Sequence, residues 1–532
     1  MKHNNPLLSI LLPIIISVSV VAGITIGRML PPMPKTVQQS RSDKLSSILN
    51  IIEANYVDTV DRAQLVDNTI SAILRRLDPH SVYIPAKDLA RANEPLRGSF
   101  EGIGISFNML TDTILVISAL PGGPSEKLGM LPGDKIIYIN DSLVAGKRVS
   151  EDAVMGMLKG PAGTTVNVKI LRSGHNEFIP FDITRDKIPI YSVDVDYMIN
   201  ENTGYIKINS FAVTTYDEFM KSMRNLSSQG MEKLILDLRG NSGGIMEAAI
   251  RIANEFLDER QLIVYTMGRT QPRSEARANG RGVFKTGDLV ILIDEYSASA
   301  SEILAGAIQD NDRGTIIGRR SFGKGLVQEP VTLSDGSGIR LTIARYYTPT
   351  GRSIQKPYDE GYEKYYDDLY ERLNHGEFEV SDSIKFADTL KFTTQGGRTV
   401  YGGGGIMPDK FVPVDTAMVS PYFARARQLI YRFALRYTEV NREMLNNFAT
   451  AGELEKHLDR QALIPQFVQF AEQNNVRRDQ TGLRTSEKII HTQLKAYIAR
   501  NILNNEGFYP IWGEIDTTLK FAVEYLKSDS KN

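Results

Sequence analysis

The hydrophobic pattern changes its period several times along the 532 residues of this chain. Helical spacing of apolar residues between 41 and 97 gives way to short apolar runs, broken by Gly and Pro, between 98 and 186. Strand and helix patterns then alternate over 187–415, and an amphipathic helical pattern returns over 416–532. Because the chain is also too long for one compact core, the sequence predicts a multidomain protein with a β-rich domain inserted before an α/β core.

Within the predicted α/β core, two short apolar strands are each followed by a loop and a helix. These strands cover residues 234–238 and 289–294. A stretch rich in Tyr and charged residues, 355–395, interrupts the alternation, and we interpret it as an insertion.

Composition excludes several classes of function. The 62 basic and 63 acidic residues nearly cancel, so no net field attracts nucleic acid or an acidic membrane. The absence of cysteine excludes a disulfide framework, a cysteine nucleophile and thiolate metal sites. Six scattered histidines, without an H-E-x-x-H, P-loop or dinucleotide-binding pattern, argue against a metal or nucleotide cofactor. We therefore expect no cofactor, no bound metal and no nucleic-acid partner.

The N-terminus carries the clearest topological signal. An uncharged run from Pro6 to Gly27 lies between Lys2 and Arg28 and is long enough to cross a bilayer as a helix, which takes about 20 apolar residues. The run is longer than the core of most signal peptides, and no A-x-A cleavage pattern follows it. The sequence predicts a membrane anchor over residues 6–27, with a cleaved signal peptide as the alternative.

A serine-rich segment, Tyr296–Glu302, stands between a predicted strand and a predicted helix. Its small residues leave room for a substrate backbone, and the helix N-terminus offers free N–H groups with a partial positive charge. This setting suits a serine nucleophile beside a developing oxyanion. The alternative is that the serines only cap the helix, since serine is a preferred N-cap residue.

A second segment, Ser321–Gln328, places Lys324 between two glycines and near apolar residues. Desolvation there would lower the pKa of the lysine toward that of a general base. The alternative is a glycine turn with a solvated lysine. In a flat strand Gln328 would lie about 13 Å from Lys324, so an interaction between them requires a backbone that is not regularly extended.

A third segment, Asp237–Gly244, also lies between a strand and a helix and matches the G-x-S-x-G nucleophile elbow at Ser242. A Ser–His–Asp triad built on it needs a later histidine. His375 falls in the predicted insertion, whereas His457 and His491 fall in the helical tail. The other interpretation is that the glycines expose backbone N–H groups as part of an oxyanion hole.

Taken together, these segments resemble the C-terminal processing peptidases, also called tail-specific proteases. In chain order the matching segments are Leu77–Tyr83, Phe100–Phe107, Pro132–Asp134, Asp237–Gly244, Ser297–Glu302, Phe322–Gln328, Tyr347–Ile354 and Gly403–Asp409. They span about residues 41–415, while the 355–395 segment and the tail lie outside the match. His80, within the first segment, is interpreted as a turn-stabilising residue.

The resemblance implies a role for five residues. Ser299, the middle serine of its segment, is the expected nucleophile, and Lys324 is the expected general base. Gln328 is expected to support the lysine. The N–H groups of Gly243 and Ala300 are expected to form the oxyanion hole.

The resemblance also implies a fold. We expect a crotonase-like (ClpP-like) α/β protease core over 187–415, preceded by a PDZ domain over 98–186. A helical region over 41–97 and a helical extension over 416–532 complete the expected architecture. PDZ domains add a peptide as an extra strand and hold its terminal carboxylate on backbone N–H groups. The expected peptide-binding residues are Gly102, Ile103, Gly104 and Ile105.

The expected function is a serine endopeptidase that recognises apolar protein C-termini through the PDZ domain and cleaves by a Ser–Lys acyl-enzyme mechanism. One alternative is a non-catalytic PDZ scaffold or chaperone. The other is a Ser–His–Asp hydrolase using Ser242, although many relatives carry Pro at that position. The expected location is the bacterial cell envelope, with an inner-membrane anchor and a periplasmic protease domain. A homodimer is a further possible partner, because amphipathic tails commonly mediate self-association.

Overall fold

The computed structural model of the chain describes residue 19 and residues 44–110, 112–384 and 388–529. The chain forms two compact units, one ending at Ile70 and one beginning at Ser71. The predicted membrane anchor over 6–27 lies outside the described residues except for residue 19. Among the helices in the described ranges, none has the length and apolarity needed to cross a membrane.

The elements follow in chain order. The helices are α1 (Lys44–Asn55), α2 (Arg62–Arg75), α3 (Ala86–Arg97), α4 (Pro124–Lys127), α5 (Glu151–Leu158), α6 (Thr215–Ser228), α7 (Met246–Asn254), α8 (Ala300–Asp310), α9 (Tyr362–Asn374), α10 (Pro421–Leu445), α11 (Ala451–Leu458), α12 (Leu463–Gln473), α13 (Gln480–Trp512) and α14 (Thr517–Asp529). The strands are β1 (Val82–Ile84), β2 (Ser99–Gly102), β3 (Ile105–Leu110), β4 (Thr113–Ala119), β5 (Lys135–Ile139), β6 (Ser142–Leu143), β7 (Thr165–Leu171), β8 (Ile179–Thr184), β9 (Asp186–Pro189), β10 (Val193–Met198), β11 (Thr203–Ile208), β12 (Lys233–Asp237), β13 (Leu262–Met267), β14 (Ser274–Arg277), β15 (Asp288–Ile293), β16 (Thr315–Gly318), β17 (Leu326–Thr332), β18 (Gly338–Tyr347), β19 (Lys391–Thr393), β20 (Thr399–Tyr401) and β21 (Lys410–Phe411).

The central sheet of the α/β core has the strand order β10-β11-β12-β15-β16-β21. All neighbours from β11 to β21 run parallel, and β10 is antiparallel to β11. Parallel strands are buried on both faces, which explains their continuous apolar sequence. Leu234 and Leu236 of β12 pack with α6, α7 and α8 on one face, whereas Ile235 packs on the other.

The second face of this sheet is covered by the end of the chain. Leu519, Ala522 and Leu526 of α14 are buried against Ile235 and Val290 of the sheet. The last helix of the helical extension therefore completes the core of the α/β region.

A second, antiparallel sheet flanks the core, with the order β1-β18-β13-β14 and with β17 paired to β18. Its first strand, Val82–Ile84, pairs with β18 so that Val82 lies opposite Arg340. This strand falls within 41–97, which the sequence predicted as helical. The short apolar run is extended because β18 offers it a hydrogen-bonded edge, a contact that local periodicity does not reveal.

The β-rich region forms a sheet of order β3-β4-β5-β7-β8, with β3 at one edge. The segment Phe100–Phe107 is divided between two strands at Gly104, which has a φ of +73°. The first half, β2, pairs with β9 as a separate two-stranded ribbon. The second half, β3, leaves an open edge, as strand addition by a peptide requires.

Helices α10 to α13 of the tail enclose an apolar cluster of their own. The predicted insertion contains α9 and one strand of the β19–β20 hairpin.

Candidate active site

Three loops of the core meet because each follows one of three neighbouring parallel strands. β12 ends at Asp237, β15 at Ile293 and β16 at Gly318, and the strands pair in that order. The carboxyl ends of parallel strands share one edge of the sheet, where such proteins place their sites. The glycine turn (residues 240–244) follows β12, Ser299 follows β15, and the lysine loop (residues 321–328) follows β16.

Ser299 occupies the N-cap position of α8 with φ 55° and ψ −112°. Residues other than glycine rarely adopt positive φ, and such strain costs about 1–3 kcal/mol. The Ser299 N–H donates to Oε2 of Glu302 at 2.8 Å, which helps to hold the strained backbone. A serine on a strained turn at a helix N-terminus is typical of a nucleophile that must stand clear of its neighbours.

The three serines of this segment differ in what they contact. Ser297 is fully buried and its Oγ donates to the carbonyl of Leu238 at 2.9 Å. Ser301 is also fully buried, and its Oγ donates to the carbonyl of Asn241 at 2.8 Å. Ser299 is half-buried; its Oγ is the acceptor side of a capping box with Glu302, and within the described chain its hydroxyl donates to no partner. Of the three, only the middle serine has its hydroxyl available for chemistry.

Gly243 lies directly against Ser299. It has a φ of +99°, and a Cβ built on it would come within 2.7 Å of both Ser299 Cβ and the Ala298 carbonyl oxygen. Only glycine therefore permits this approach. The Gly243 N–H donates to Oδ1 of Asn241 at 2.9 Å. Of the two predicted oxyanion donors, Gly243 thus has its N–H engaged.

The other predicted donor, Ala300, is in the first turn of α8, where backbone N–H groups have no partner within the helix. Within the described ranges, neither the Ala300 N–H nor the Gly244 N–H has a hydrogen-bond acceptor. Both open N–H groups belong to the two loops that meet at Ser299. The assignment of the oxyanion hole stays a prediction, with Gly244 as an additional donor that sequence reasoning missed.

Lys324 and Gln328 are joined by a hydrogen bond of 3.1 Å from Nζ to Oε1. Lys324 lies two residues before β17 begins at Leu326, so the backbone between the two side chains is not one regular strand. The pairing of β17 with β18 is also irregular between Val327 and Gln328. The Nε2 of Gln328 donates to the carbonyl of His80, which fixes the direction of the amide. Across the described residues, no hydrogen bond joins Ser299 Oγ to Lys324 Nζ.

The environment of Lys324 favours its neutral form. Burial lowers the pKa of the ammonium, and the positive charge of Arg340 lowers it further. The carboxylates of Glu302 and Asp78 oppose this shift but do not reverse it. A lysine whose pKa is lowered by desolvation can accept a proton near neutral pH.

Glu302 connects the nucleophile to the lysine loop. Its fully buried carboxylate accepts hydrogen bonds from the Ser299, Gly323 and Lys324 N–H groups and from the Ser321 hydroxyl, at 2.5–2.9 Å. Burial raises the pKa of Glu302 to about 7 against the effect of these four donors. Sequence reasoning assigned Glu302 no role, although Ser299-x-x-Glu302 matches the capping-box pattern that could have identified it.

Tyr346 is a second residue that sequence reasoning missed. It is buried at 1% exposure, and its hydroxyl contacts the backbone carbonyls of Ser299, at 3.1 Å, and Lys324. Tyr346 thus fixes the distance between the loop that carries Ser299 and the loop that carries Lys324. No local sequence pattern indicates this contact, because Tyr346 belongs to β18 and lies 47 residues after Ser299 in the chain.

Ser242 is exposed in the glycine turn. Among the described residues, no histidine hydrogen-bonds to Ser242: His457 contacts Gln461, and His80 contacts Tyr365. The elbow pattern at Ser242 therefore lacks the base that a Ser–His–Asp triad requires.

The predicted peptide-binding residues lie at the start of β3. The carbonyl of Ile103 accepts from the N–H and the Oγ of Ser125, at 3.1 and 2.6 Å, and the carbonyl of Gly104 accepts from Leu120. In the part of the chain that is described, the N–H groups of Ile103 and Gly104 have no partner. Lys159 lies against Gly102 and forms an ion pair with Glu94 at 2.5 Å. The loop thus presents open N–H groups beside a cation.

The described ranges contain no group of three or more His, Asp or Glu side chains arranged to hold a metal ion.

Comparison with family models gives three matches. The model of peptidase family S41 matches residues 202–362, which include all three loops of the site. A PDZ domain model matches residues 102–180. A family of unknown function (DUF8443) matches residues 422–504 in the helical tail.

The chain is also similar to individual proteins. The carboxy-terminal-processing protease of Bartonella bacilliformis is 34% identical over 352 residues, which cover 63% of this chain and 79% of that protein. The carboxy-terminal processing protease CtpB of Bacillus subtilis is 34% identical over 349 residues, covering 63% of this chain and 72% of that protein. The solved structure of a photosystem II D1 C-terminal processing protease aligns with 27% identity and a TM-score of 0.37, covering 70% of this chain and 87% of that chain.

Proposed function

Because this chain belongs to peptidase family S41 and is a carboxy-terminal processing serine protease with a PDZ domain, we propose that Ser299 and Lys324 are its catalytic dyad. The observation that carries the proposal is the Ser299 hydroxyl, which donates to no partner in the described chain and stands at a strained helix N-terminus, near a half-buried lysine whose pKa is lowered. Gln328 is the supporting residue, since it orients the lysine Nζ.

The proposed reaction begins when neutral Lys324 takes the proton of the Ser299 hydroxyl and the alkoxide attacks the scissile carbonyl. The oxyanion of the tetrahedral intermediate accepts from the Ala300 N–H and from the glycine turn, either at Gly243 once Asn241 releases it or at Gly244. Each such donor is often worth about 3 kcal/mol. The Lys324 ammonium then protonates the leaving amine. Water, deprotonated by Lys324, attacks the acyl-enzyme, and the proton returns to Ser299 as the ester bond breaks.

The Ser299–Lys324 hydrogen bond is expected to form when substrate is bound. Catalytic hydrogen bonds are often long or misaligned in free enzymes and tighten in the complex. The hydrogen bonds to Glu302 hold the backbones of Ser299 and Lys324 in place for this contact.

We further propose that the PDZ domain recognises the C-terminus of the substrate. The open edge of β3 accepts the peptide as an added strand, and the N–H groups of Ile103 and Gly104 hold its carboxylate. Lys159, whose ammonium is paired with Glu94, stands beside this loop. The strand edge and the apolar cluster behind it favour proteins with apolar tails.

The test is intact-mass detection of cleavage of an unfolded, apolar-tailed protein by the purified full chain. Ser299→Ala should abolish cleavage, whereas Ser242→Ala, a serine in the neighbouring loop, should cleave like the parent. The same substrate with an amidated C-terminus should be cleaved more slowly at low concentration, because the carboxylate contact is lost. Full activity of Ser299→Ala would refute the dyad, and equal cleavage of the amidated substrate would refute carboxylate recognition.

Two other functions give different results in this test. A PDZ scaffold or chaperone would bind the tail without cleaving it. A hydrolase using Ser242 would lose activity in Ser242→Ala; the lack of a histidine partner for Ser242 in the described chain disfavours it.

The location in the cell envelope and the homodimer remain proposals. The anchor rests on the uncharged run from Pro6 to Gly27. Retention of the full chain in membranes after alkaline extraction, and its release when residues 1–27 are deleted, would support the anchor. Sedimentation of the purified chain gives the oligomeric state, and a monomer at every concentration would contradict the homodimer.

A further inference from the structure

Helix α9 packs on two segments that surround the proposed base: the lysine loop and the turn formed by residues 78–81. The family match ends at residue 362, where α9 begins, so the helix belongs to the segment interpreted as an insertion. On one side it contacts the lysine loop, and on the other it contacts the turn formed by residues 78–81.

The contacts with the lysine loop are aromatic and electrostatic. The ring of Tyr365 meets that of Phe322 edge to face at 5.8 Å, and Lys356 Nζ lies 4.1 Å from the centre of the Phe322 ring. Lys356 Nζ also donates to the Tyr365 carbonyl and to Asp368, each at 2.9 Å. Arg372, which is 3% exposed, donates to the Ser321 carbonyl at 3.2 Å. Helix α9 therefore clamps the segment that precedes Lys324.

The contacts with the turn are made by hydroxyl groups. The Tyr365 hydroxyl and the His80 Nε2 are 2.8 Å apart, and the two rings meet edge to face with centroids 5.2 Å apart. The neighbouring Tyr366 donates to the Pro79 carbonyl at 3.2 Å. Asp78 holds the same turn from inside by accepting from the His80 and Ser81 N–H groups. The position of His80 thus depends on a residue 285 positions away.

A continuous chain of hydrogen bonds then leads from Tyr365 to the base. His80 is held by Tyr365, its carbonyl accepts from Gln328 Nε2, and Gln328 Oε1 accepts from Lys324 Nζ. Because an amide has one donor end and one acceptor end, fixing the donor end on His80 turns the acceptor end toward Lys324. A shift of the turn would release Gln328 and, with it, the orientation of the lysine.

We propose that Tyr365 of α9 is a positioning residue for Lys324, acting through His80 and Gln328. The inference rests on the proposed role of Lys324 as the general base. The relay adds no charge near that base, because burial lowers the pKa of His80 to about 3 and keeps its imidazole neutral. Tyr365→Phe keeps both ring contacts and removes only the hydroxyl, which takes away the 2.8 Å partner of the half-buried His80 Nε2 and a weaker contact, at 3.5 Å, from Gln355 Nε2.

The experiment measures kcat and KM of the full chain on an internally quenched peptide with an apolar C-terminus. Tyr365→Phe should lower kcat about five- to tenfold, the effect of one lost hydrogen bond, with KM within about twofold of the parent. The rate at which a small fluorophosphonate labels Ser299 should fall by the same factor, because this probe reports the dyad and not peptide binding. Tyr370→Phe is the matched control, since Tyr370 lies on the same helix and is 67% exposed.

A double-mutant cycle tests the relay from its other end. His80→Ala should also lower kcat, and adding Tyr365→Phe should cause little further loss, because both changes cut the same chain. Losses that multiply would overturn the proposal, as would a Tyr365→Phe enzyme that matches Tyr370→Phe. A raised KM with normal labelling of Ser299 would overturn it too, since α9 would then act on peptide binding. His80→Ala also provides the test if Tyr365→Phe does not fold.

Ser299→Ala and Lys324→Ala, measured alongside, separate this inference from the proposed function. If either retains the parent's rate, the dyad itself is wrong. If both are inactive while Tyr365→Phe is fully active, only the role of Tyr365 is wrong.

Discussion

The glycine turn and the lysine loop meet at the same serine but are held in shape by different forces. In the glycine turn, Gly240, Gly243 and Gly244 all have positive φ, and a Cβ on Gly244 would lie 2.0 Å from the Phe211 carbonyl oxygen. The shape of the glycine turn therefore follows from steric exclusion, because the space beside Gly243 and Gly244 has no room for a Cβ. The lysine loop is held by buried side chains instead, above all by Glu302, which accepts from the N–H groups of Gly323 and Lys324.

This difference predicts which kind of substitution damages each loop. A loop shaped by steric exclusion is damaged by adding atoms, whereas a loop held by buried polar groups is damaged by changing charge or hydrogen bonding. The glycine turn should therefore respond to size and the lysine loop to protonation.

The largest expected effect is that of Lys324→Met, which keeps the length of the side chain and removes the base. We expect kcat to fall about 10³-fold or more with KM nearly unchanged, because general base catalysis is lost while the peptide sites remain. Thermal unfolding should occur at the same or a higher temperature, since a partly buried amine is replaced by an apolar group. Lys285→Met, in an unrelated loop, is the control; activity above a tenth of the parent's in Lys324→Met would contradict the dyad.

The second effect tests steric exclusion in the glycine turn. Gly243→Ala should lower kcat about 10²-fold, because the new methyl group would collide with Ser299 Cβ and the Ala298 carbonyl. Gly240→Ala is a matched control: its φ is +71°, yet a Cβ there meets nothing within 4 Å. It should cost only the backbone strain, about 1–2 kcal/mol of stability, with kcat nearly intact. Equal losses of kcat would show that strain, not contact with Ser299, governs this turn.

The third expectation concerns pH and sharpens the contrast between the loops. Lys324 must be neutral to act, and burial lowers its pKa below that of an ordinary lysine. The value of kcat/KM should therefore rise up to tenfold per pH unit and level off at the lowered pKa of Lys324. Gly243→Ala should keep the shape of this profile while lowering its height. A flat profile in the parent between pH 5 and about 10 would argue against a lysine base.

The fourth expectation follows from Glu302. Its pKa is raised from 4.5 to about 7 in the folded protein, so the folded state holds this proton more tightly than the unfolded state does. Its contribution to stability is fully present below pH 4.5 and is lost as the pH rises toward 7, by roughly 3 kcal/mol. In the Glu302→Gln variant, the amide that replaces the carboxyl group does not titrate. Between pH 5 and 8 the unfolding temperature of the parent should therefore fall relative to that of the variant, and a constant difference would contradict the raised pKa.

The smallest effect is expected at the far side of the glycine turn, where a tertiary contact does support it. The half-buried Arg239 forms ion pairs with Asp237 and with Asp516 of the tail, each at 2.6 Å, beside a cavity of about 270 Å³. Asp516→Asn leaves Asp237 as the partner, so we expect about 1–2 kcal/mol of lost stability and a loss of kcat of about threefold. An unchanged kcat would show that the glycine turn is independent of the tail. A large loss of kcat would show that tertiary contacts, and not steric exclusion alone, hold the glycine turn in shape.

Several features of the molecule were predictable from local sequence. The resemblance to the C-terminal processing peptidases, the serine protease function and the PDZ domain are confirmed by the family models and the curated relatives. The strands before the glycine turn and before Ser299 were found from their apolar runs, because parallel strands are buried on both faces. The domain bounds and the roles of Ser299, Lys324, Gln328, Gly243 and Ala300 stay predictions.

Other features depend on contacts between distant segments. The strand Val82–Ile84 lies in a region of helical periodicity and exists only because β18 pairs with it. His80 was interpreted as a turn residue; its carbonyl also accepts from Gln328, a partner 248 positions away. The helical tail was predicted only as an extension that follows the α/β region, and its contact with the central sheet through α14 is seen only in the structure.

The sequence by itself determined the order of the domains, the glycines of the turn and which residue types could carry the chemistry, because these depend on local backbone freedom and on hydrophobic periodicity. The tertiary structure decided which of three serines keeps its hydroxyl available, how Glu302 joins Ser299 to Lys324, and why α9 reaches the site. Availability, burial and lowered pKa are properties of what surrounds a side chain. Those surroundings are assembled from strands and helices that lie far apart in the chain.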